Sequence, residues 1–539
     1  MKNKMMIGNL YLFLMFGVFP LFFRNYYYDI YQAKFWFTAV VTCIFFILCI
    51  IAGGIGKDQL VKMGKKEGMI WYLSFLFFAV VSVIYSQHKA EAFSGSAGRY
   101  NGLFIYLVYL MGYYVLFQAE KIKERMIYIL EGTGILTSIL GILNHFSVDP
   151  FGFTKGLGKI ENFMSTLGNT SCFVEFIGMV MAIAGIFCIL EARKSVRMWH
   201  TVVYVISFMA LTLAGPETFY IALILFVGGA ILVVKKKSEF LRYSMLIEYC
   251  CIVFSGISFI YHQNWKIVEN AKYLSIITTF ILNNLFGVIG IMIVFLAINA
   301  FIYFYIPKHK ISERGITFIK RVYAGCIIGA GTVGVIVFIA VNNGWISSTA
   351  GLGKLFYLTD EWGTNRGYIW KHAMEYYKKM PVFNKLIGIG PDTIYFAYEE
   401  MNSEVAGAAI DNAHNMFLQL LITHGILGLA AWIGWVLDSL ILCIKRGRDN
   451  VIYYSMGMGI ICYYGMALFG VNMINSSAIA VLLMGLVRCD FSEKEKVTDD
   501  ERLCGRILLS IVIFLILLAS FRLVLRADET EVLNKLLAG

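Results

Sequence analysis

Charged residues and proline are scarce in this chain. Of its 539 residues only 15% are charged and only 6 are proline, whereas 59% are hydrophobic. This composition excludes an ordinary soluble globular protein. The long unbroken apolar runs argue against disorder, collagen-like repeats and a β-barrel, whose strands would alternate apolar with polar residues. The sequence therefore predicts an all-α polytopic membrane protein.

Signatures of metal and nucleotide sites are also missing. The 11 cysteines include no CxxC pair, and no Walker A motif occurs. His372 and Glu375 have the spacing of neighbours on a helix, but neither HExxH nor an acidic cluster accompanies them. We therefore predict no metal site and no cofactor.

Membrane topology explains the net charge of +11. Basic residues concentrate in the cytoplasmic loops of membrane proteins. No basic stripe interleaved with aromatic residues lies outside the apolar runs. We therefore expect no nucleic-acid partner.

The apolar runs predict fifteen membrane-spanning helices. We place these helices at 5–23, 35–55, 69–85, 103–117, 126–146, 170–190, 199–214, 218–234, 243–260, 278–305, 322–341, 417–442, 452–471, 477–488 and 506–524. They divide the chain into N-terminal transmembrane helices at 1–341, one large loop at 342–415 and C-terminal transmembrane helices at 416–539. With a cytoplasmic N-terminus, 29 of the 46 Lys and Arg residues fall in inside segments, so the 342–415 loop is predicted to be extracytoplasmic.

This loop contains the first candidate functional residues. Thr364 or Asn365 is placed to cap a helix that carries Arg366 at its start and ends before Pro381. A glycine turn follows at 388–393, and its backbone amides are expected to approach a ligand.

His414 lies at the start of a long apolar helix, after Asp411 and Asn412. The positive end of a helix dipole disfavours protonation of an imidazole. We therefore expect His414 to be neutral and able to accept a proton, which suits a general base. Asp411, Asn412 and Asn415 either orient His414 or cap the helix.

The motifs of this region are those of a known family. They are Asn365-Arg366-Gly-Tyr-Ile-Trp370, Gly388-Ile-Gly390, Ala413-His414-Asn415-Met-Phe-Leu418-Gln419 and Gly425-Ile-Leu-Gly428-Leu. Together they resemble the O-antigen ligase and O-antigen polymerase superfamily. Two upstream segments, 98–103 and 165–169, look like segments common in Gram-positive members of that group.

The resemblance implies a glycosyltransferase-C-like bundle of transmembrane helices in the bacterial cytoplasmic membrane. Such an enzyme moves a glycan from a polyprenyl diphosphate to a glycan, lipid or protein acceptor at the outer face, without metal or nucleotide sugar. The family pattern assigns function to Arg366 and His414. A guanidinium suits the diphosphate because it keeps its charge and offers a planar fork of donors. A flippase or a chain-length regulator is a further candidate partner.

One departure from the family concerns a mid-chain arginine. Many members carry a Ser-Arg pair where this chain has Gly215-Pro216-Glu217. Either Arg99 or a lysine supplies the missing charge, or the donor is bound differently. Glu217, an acid at the outer end of a span, is a candidate for acceptor binding or for the base.

Other interpretations stay open at this point. Arg366 is alternatively an interfacial arginine, His414 a structural helix cap and Arg99 a solvated loop charge. The whole chain is alternatively a transporter or flippase of a lipid-linked saccharide. A transporter would place ionisable residues deep within its spans, whereas Arg366 and His414 lie in the predicted loop.

Overall fold

The structure is a computed structural model. It describes residues 2–53, 62–64, 68–96, 98–119, 121–153, 163–262, 271–304, 313–347, 356–401, 404–405 and 408–492. The chain is about 78% helical with almost no strands, which confirms the all-α polytopic fold.

The helices follow the apolar runs because a helix satisfies its own backbone hydrogen bonds where water is absent. In chain order they are α1 (Lys2–Phe13), α2 (Ile30–Gly53), α3 (Met69–Tyr85), α4 (Lys89–Ser94), α5 (Leu103–Ala119), α6 (Arg125–His145), α7 (Thr170–Leu190), α8 (Lys194–Leu213), α9 (Thr218–Val233), α10 (Lys237–His262), α11 (Ile276–Asn283), α12 (Leu285–Phe304), α13 (Glu313–Asn342), α14 (Trp362–Lys379), α15 (Val382–Ile387), α16 (Ile394–Glu400), α17 (Met416–Thr423), α18 (Gly425–Arg446), α19 (Val451–Ala467) and α20 (Ile474–Leu486).

A π-helix at Leu14–Val18, two 3-10 helices at Phe19–Leu21 and Ser165–Leu167 and three two-stranded sheets are also present among the described residues. Strands β1 (Lys121–Lys123) and β6 (Asp490–Ser492) are parallel, with Lys121 opposite Asp490. The antiparallel pairs are β2 (Phe163–Met164) with β3 (Gly168–Asn169), and β4 (Glu404–Val405) with β5 (Ala408–Ala409).

Fourteen of the fifteen predicted runs coincide with helices, and the run at 506–524 lies outside the described residues. Within the part of the chain that the structure describes, 7 helices are long and apolar enough to cross a membrane, or up to 8 if one bent pair is a single span. The other apolar helices are shorter, at 10–17 residues.

Two predicted spans are not continuous. The run at 278–305 bends by 75° between α11 and α12. The run at 417–442 is interrupted between Thr423 and Gly425, where Gly425 has a φ of +68°. A Cβ on Gly425 would lie 2.3 Å from the Leu386 carbonyl oxygen, so only glycine fits this close approach.

A GxGxxG sequence occurs at Gly329 to Gly334. It lies within helix α13 rather than at a turn between a strand and a helix. Dinucleotide-binding loops need the strand-to-helix turn, so this stretch is not one of them.

The core of the bundle lies along α7, of which 94% is buried inside the protein. Helices α6, α8, α9, α10, α19 and α20 all pack against it. Between α13 and α17, helices α14 and α16 form a separate small core with α17, whereas α15 packs mainly against α18 and α3. The buried residues of this small core are Ile369, Ala373, Met380, Ile394, Tyr398, Ile410, Ala413 and Ile422. This small core positions the candidate site at one end of the bundle.

Strands β1 and β6 lie at the other end of the bundle, beside a buried ion pair. The Arg488 side chain is 5% exposed and donates to Asp438 Oδ2 at 2.5 Å, to Ser439 Oγ at 2.9 Å and to the Met484 carbonyl at 2.7 Å. A buried charge is tolerated only when an opposite charge and hydrogen-bond partners compensate it.

Replacing Arg488 by methionine is therefore expected to lower the free energy of unfolding by about 3–5 kcal/mol, because Asp438 loses its counter-charge. Thermal unfolding of the purified protein measures the change. Arg193→Met is the matched control, since the ion pair of Arg193 with Glu191 is 41% exposed on the arginine side and is expected to contribute about 0–1 kcal/mol. Equal stabilities of the two variants would contradict this account.

Candidate functional site

Arg366 begins the regular part of α14. Gly363, Thr364 and Asn365 have φ values of 61°, 62° and 66°, so the first turn of α14 is kinked. The Arg366 Nη1 donates to the Gly363 carbonyl at 2.5 Å. Its Nε is buried and has no hydrogen-bond partner among the described residues. The guanidinium therefore keeps a buried donor for a ligand.

The sequence around Arg366 explains where α14 places it. Ile369 and Ala373 are buried on the inner face of α14, and the helix ends at Lys379 before Pro381, as predicted. Burial lowers the pKa of Arg366, and the negative charge of Glu217 acts against that effect. Glu217, exposed at the start of α9, thus lies within electrostatic range of Arg366.

His414 is fixed by the residues on either side of it. Its backbone N–H donates to Asn412 Oδ1 at 2.7 Å, and its φ is 47°. The Trp370 Nε1 donates to the Ala413 carbonyl at 2.9 Å. Because Trp370 is on α14, this bond joins the helix of Arg366 to the turn of His414. Asn415 caps α17, with its Oδ1 accepting from the N–H groups of residues 417 and 418 at 3.0 Å.

The surroundings of His414 favour its neutral form. Burial, together with the positive charges of Arg366 and Arg99, lowers the pKa of His414 to about 4, while Asp411 acts in the opposite direction. At neutral pH the imidazole is therefore uncharged and able to accept a proton. The same charges show that both arginines lie within electrostatic range of His414.

Arg99 lies in this group with its own counter-ion. Its side chain is 15% exposed, and its Nη2 and Nε donate to Asp411 Oδ2 at 2.5 and 3.0 Å. Its Nη1 lies 3.3 Å from the Met473 sulfur. The structure thus brings together Arg99, Arg366, Asp411 and His414 from two distant parts of the chain.

Asp392 positions the loop of Arg99, and sequence reasoning missed it. Its Oδ2 accepts from the backbone N–H groups of Ser96 and Asn101 at 2.8 and 3.0 Å. Burial raises the pKa of Asp392 to about 6, although these two N–H groups lower it. The only sequence signal was its place in the glycine turn.

The glycine turn itself does not have the predicted role. Ile389 N–H donates to the Ile422 carbonyl at 3.1 Å, and Gly390 N–H donates to the Thr423 carbonyl at 3.0 Å. A Cβ on Gly388 would lie 2.2 Å from the Thr423 oxygen. The expectation that these amides approach a ligand is therefore wrong, because they bond to the last carbonyls of α17.

Comparison with known families identifies part of the chain. Residues 271–433 match the O-antigen ligase family. This match confirms the resemblance predicted from the sequence. No curated protein matches the chain.

The O-antigen ligase segment covers just under a third of the chain and includes Arg366, Asp411, His414 and Asn415, but not Arg99 or Glu217. The family suggests a surface polysaccharide ligase or polymerase. Within the described residues no three His, Cys, Asp or Glu side chains are grouped as a metal site would require.

One motif outside the O-antigen ligase segment has a structural role. In the stretch 165–169, Asn169 caps α7 by accepting from the Ser171 N–H at 2.8 Å. Ser165 N–H donates to Asn144 Oδ1 at 2.8 Å, and Asn475 Nδ2 donates to the Leu167 carbonyl at 2.5 Å. These bonds connect α6, α7 and α20 at the end of the bundle where the site lies.

The buried carboxyl of Asp392 predicts a pH effect on stability. The pKa of the Asp392 carboxyl rises from about 3.9 in the unfolded chain to about 6 in the folded protein, so folding favours its protonated form. Its contribution to the free energy of unfolding is therefore fully present below about pH 4 and is lost as the pH rises through 6. Between pH 4 and pH 7 the free energy of unfolding of the native protein should therefore fall relative to Asp392→Asn by up to about 3 kcal/mol. Chemical unfolding at several pH values measures this difference.

Asp360→Asn is the control, since Asp360 forms an exposed ion pair with Lys371. Its stability should follow that of the native protein across the pH range. Parallel pH profiles for the native protein and Asp392→Asn would contradict the assignment.

Proposed function

We propose that the protein transfers or polymerises a glycan from undecaprenyl diphosphate onto an acceptor at the outer face of the bacterial cytoplasmic membrane. The observation that carries the proposal is the pairing, within the O-antigen ligase segment, of a half-buried arginine that keeps a free donor with a neutral histidine. Trp370 joins the two through its bond to Ala413.

Arg366 binds the diphosphate of the donor. The buried Nε and the remaining guanidinium hydrogens match phosphate oxygens in a bidentate arrangement. A fixed positive charge at this position stabilises the negative charge that develops on the diphosphate as the glycosidic bond breaks. The reaction then needs no metal ion.

His414 accepts the proton of the acceptor hydroxyl. The acceptor oxygen forms a bond to the anomeric carbon, the bond from that carbon to the diphosphate oxygen breaks, and undecaprenyl diphosphate leaves with the bonding electrons. The hydroxyl proton passes to the imidazole. General-base catalysis of this kind contributes about 10²–10⁴ in rate.

The donor also tunes the base. In the free protein the charges of Arg366 and Arg99 lower the pKa of His414. A bound diphosphate offsets these positive charges, so the pKa of His414 rises in the complex and the imidazole becomes a stronger base.

Arg99 supplies the second positive charge in place of the family's mid-chain arginine. In the free protein Arg99 pairs with Asp411. The Asp411 carboxylate occupies the position on Arg99 where a phosphate group of the donor would bind. We assign Glu217 to substrate binding on the acceptor side, and Asp411 to substrate binding through its exchange with a phosphate group on Arg99. Asn415 is assigned to substrate through its amide nitrogen, since its Oδ1 caps α17.

The contacts across the bundle support the proposed topology. The segments predicted to be extracytoplasmic meet at the site, where Asp392 bonds to Ser96 and Asn101. Segments predicted to be cytoplasmic meet at the other end, where β1 pairs with β6. A flippase or a chain-length regulator remains a candidate partner.

Transfer by the purified protein from an undecaprenyl-diphosphate oligosaccharide, with EDTA present, tests the proposal. Arg366→Ala and His414→Ala should each lower the rate of glycan transfer by about 10²–10⁴, because one loses the diphosphate contact and the other the base. Gel analysis of longer or newly attached glycan gives the rate.

Lys371→Ala is the matched control on the exposed face of the same helix, and it should transfer at the native rate. If the native protein moves the lipid-linked donor across a liposome bilayer but never transfers glycan, the enzyme proposal fails and a flippase takes its place. If Arg366→Ala and His414→Ala both transfer glycan at the native rate, the roles given to Arg366 and His414 are wrong, but the transfer activity itself stands.

The pH dependence of transfer tests the role of His414 separately. A base must be neutral, so activity falls as the pH drops below its pKa. We expect kcat/KM, which reports the free protein, to fall near pH 4, and kcat, which reports the donor complex, to fall at a higher pH. Initial rates across the pH range give kcat and kcat/KM. His262→Gln is the control, and it should show the same pH profiles of kcat and kcat/KM as the native protein. A kcat that falls at the same pH as kcat/KM or lower would contradict the tuning by the donor.

A further inference from the structure

A second candidate binding site lies on α14, apart from Arg366 and His414. A cavity of about 420 Å³ opens between α14, α15 and the end of α16. Its polar lining consists of His372, Glu375, Tyr376, Lys379, Asn384 and Glu400. This volume is within the range of small-molecule sites, about 300–1,000 Å³.

The lining mixes hydrogen-bond donors and acceptors. The carboxylates of Glu375 and Glu400 only accept, the ammonium group of Lys379 only donates, and the amide of Asn384 does both. Burial and the nearby Glu400 raise the pKa of Tyr376 to about 12, so its phenol stays protonated and donates. Such a set fits a ligand rich in hydroxyl groups, because each hydroxyl both donates and accepts.

The same lining disfavours other ligand classes. A phosphate group would face two carboxylates, and an apolar ligand would displace water from this polar lining without offering it hydrogen bonds. A folded protein partner needs roughly 1,200 Å² or more of buried surface, which a concave cavity of this size does not offer by itself.

The existing bonds across the cavity are weak enough for a ligand to replace. Tyr376 OH donates to Glu400 Oε2 at 3.3 Å, which is long for this kind of bond. Lys379 pairs with Glu375 at 2.8 Å, and the lysine and glutamate side chains are 67% and 51% exposed. Exposed pairs of this kind contribute little.

We propose that this cavity binds the glycan itself, as a hydroxyl-rich saccharide held away from the reacting end. The proposal rests on the proposed function, because the occupant is part of the donor or acceptor glycan. Helix α14 carries Arg366 at its start and Glu375 nine residues later, a rise of about 14 Å along the axis and a rotation of about two and a half turns, so the two side chains leave opposite faces of the helix. A glycan that reaches the cavity therefore passes around α14, and only sugars some way from the diphosphate occupy it.

The test uses the oligosaccharide released from the lipid-linked donor, without its diphosphate, and separately the acceptor saccharide. Calorimetric titration of each into the full-length protein in nanodiscs gives its Kd. The double variant Tyr376→Phe with Glu400→Gln removes one phenol donor and one carboxylate, so it should bind at least about tenfold more weakly. Glu399→Gln is the matched control, because Glu399 is exposed beside Glu400 but does not line the cavity.

The saccharide that the double variant binds more weakly shows whether the glycan in the cavity belongs to the donor or to the acceptor. Lys371→Ala should bind either saccharide with native affinity, since Lys371 lies on α14 but does not line the cavity. If the native protein binds neither saccharide, or the double variant binds as the native protein does, this proposal is overturned while the transfer reaction stands on its own assay. Absence of transfer by the native protein would instead remove the proposed function.

Discussion

The interruption between α17 and α18 leaves main-chain carbonyls without helical partners inside the protein, and the glycine turn satisfies them. Ile422 and Thr423 accept from the N–H groups of Ile389 and Gly390, and Ser82 Oγ on α3 also donates to the Thr423 carbonyl at 2.9 Å. Buried carbonyls at a helix end need such partners. This set of bonds fixes the small core of α14, α16 and α17 against the bundle.

The geometry of the site follows from that attachment. The glycine turn ends in Asp392, whose carboxylate fixes the loop of Arg99, and α14 presents Arg366 toward the turn of His414. Two arginines thus lie within electrostatic range of one histidine, together with Asp411, and Glu217 lies within range of Arg366. The arrangement has positive charge where a diphosphate is proposed to bind and a neutral imidazole beside it.

Local patterns in the sequence were sufficient for the helices and for the C-terminal end of α14. The predicted cap at Thr364 or Asn365 was wrong, because both residues lie inside the kinked first turn with positive φ. Apolar runs mark helices regardless of their partners, and Pro381 stops α14 because it cannot continue a helix. The family motifs gave Arg366 and His414, and both residues lie within the segment 271–433 that matches the family.

Long-range contacts had no local signal. Arg99 and Asp411 are 312 residues apart, and Asp392 contacts backbone N–H groups whose positions no periodicity reveals. The break at 424 looked like a continuous apolar run because its glycine is common in transmembrane helices. The partner of the glycine turn, the carbonyl groups at the end of α17, had no sequence signal either, because the apolar run does not show that α17 ends at Thr423.

The most direct test of the central claim is the affinity for undecaprenyl diphosphate without any glycan. Its Kd for the purified protein in nanodiscs, measured for the native chain, Arg366→Ala and Lys371→Ala, isolates charge recognition from chemistry. A Kd at least about tenfold weaker for Arg366→Ala alone is the predicted result. Equal Kd values for all three proteins would contradict the claim that Arg366 binds the diphosphate.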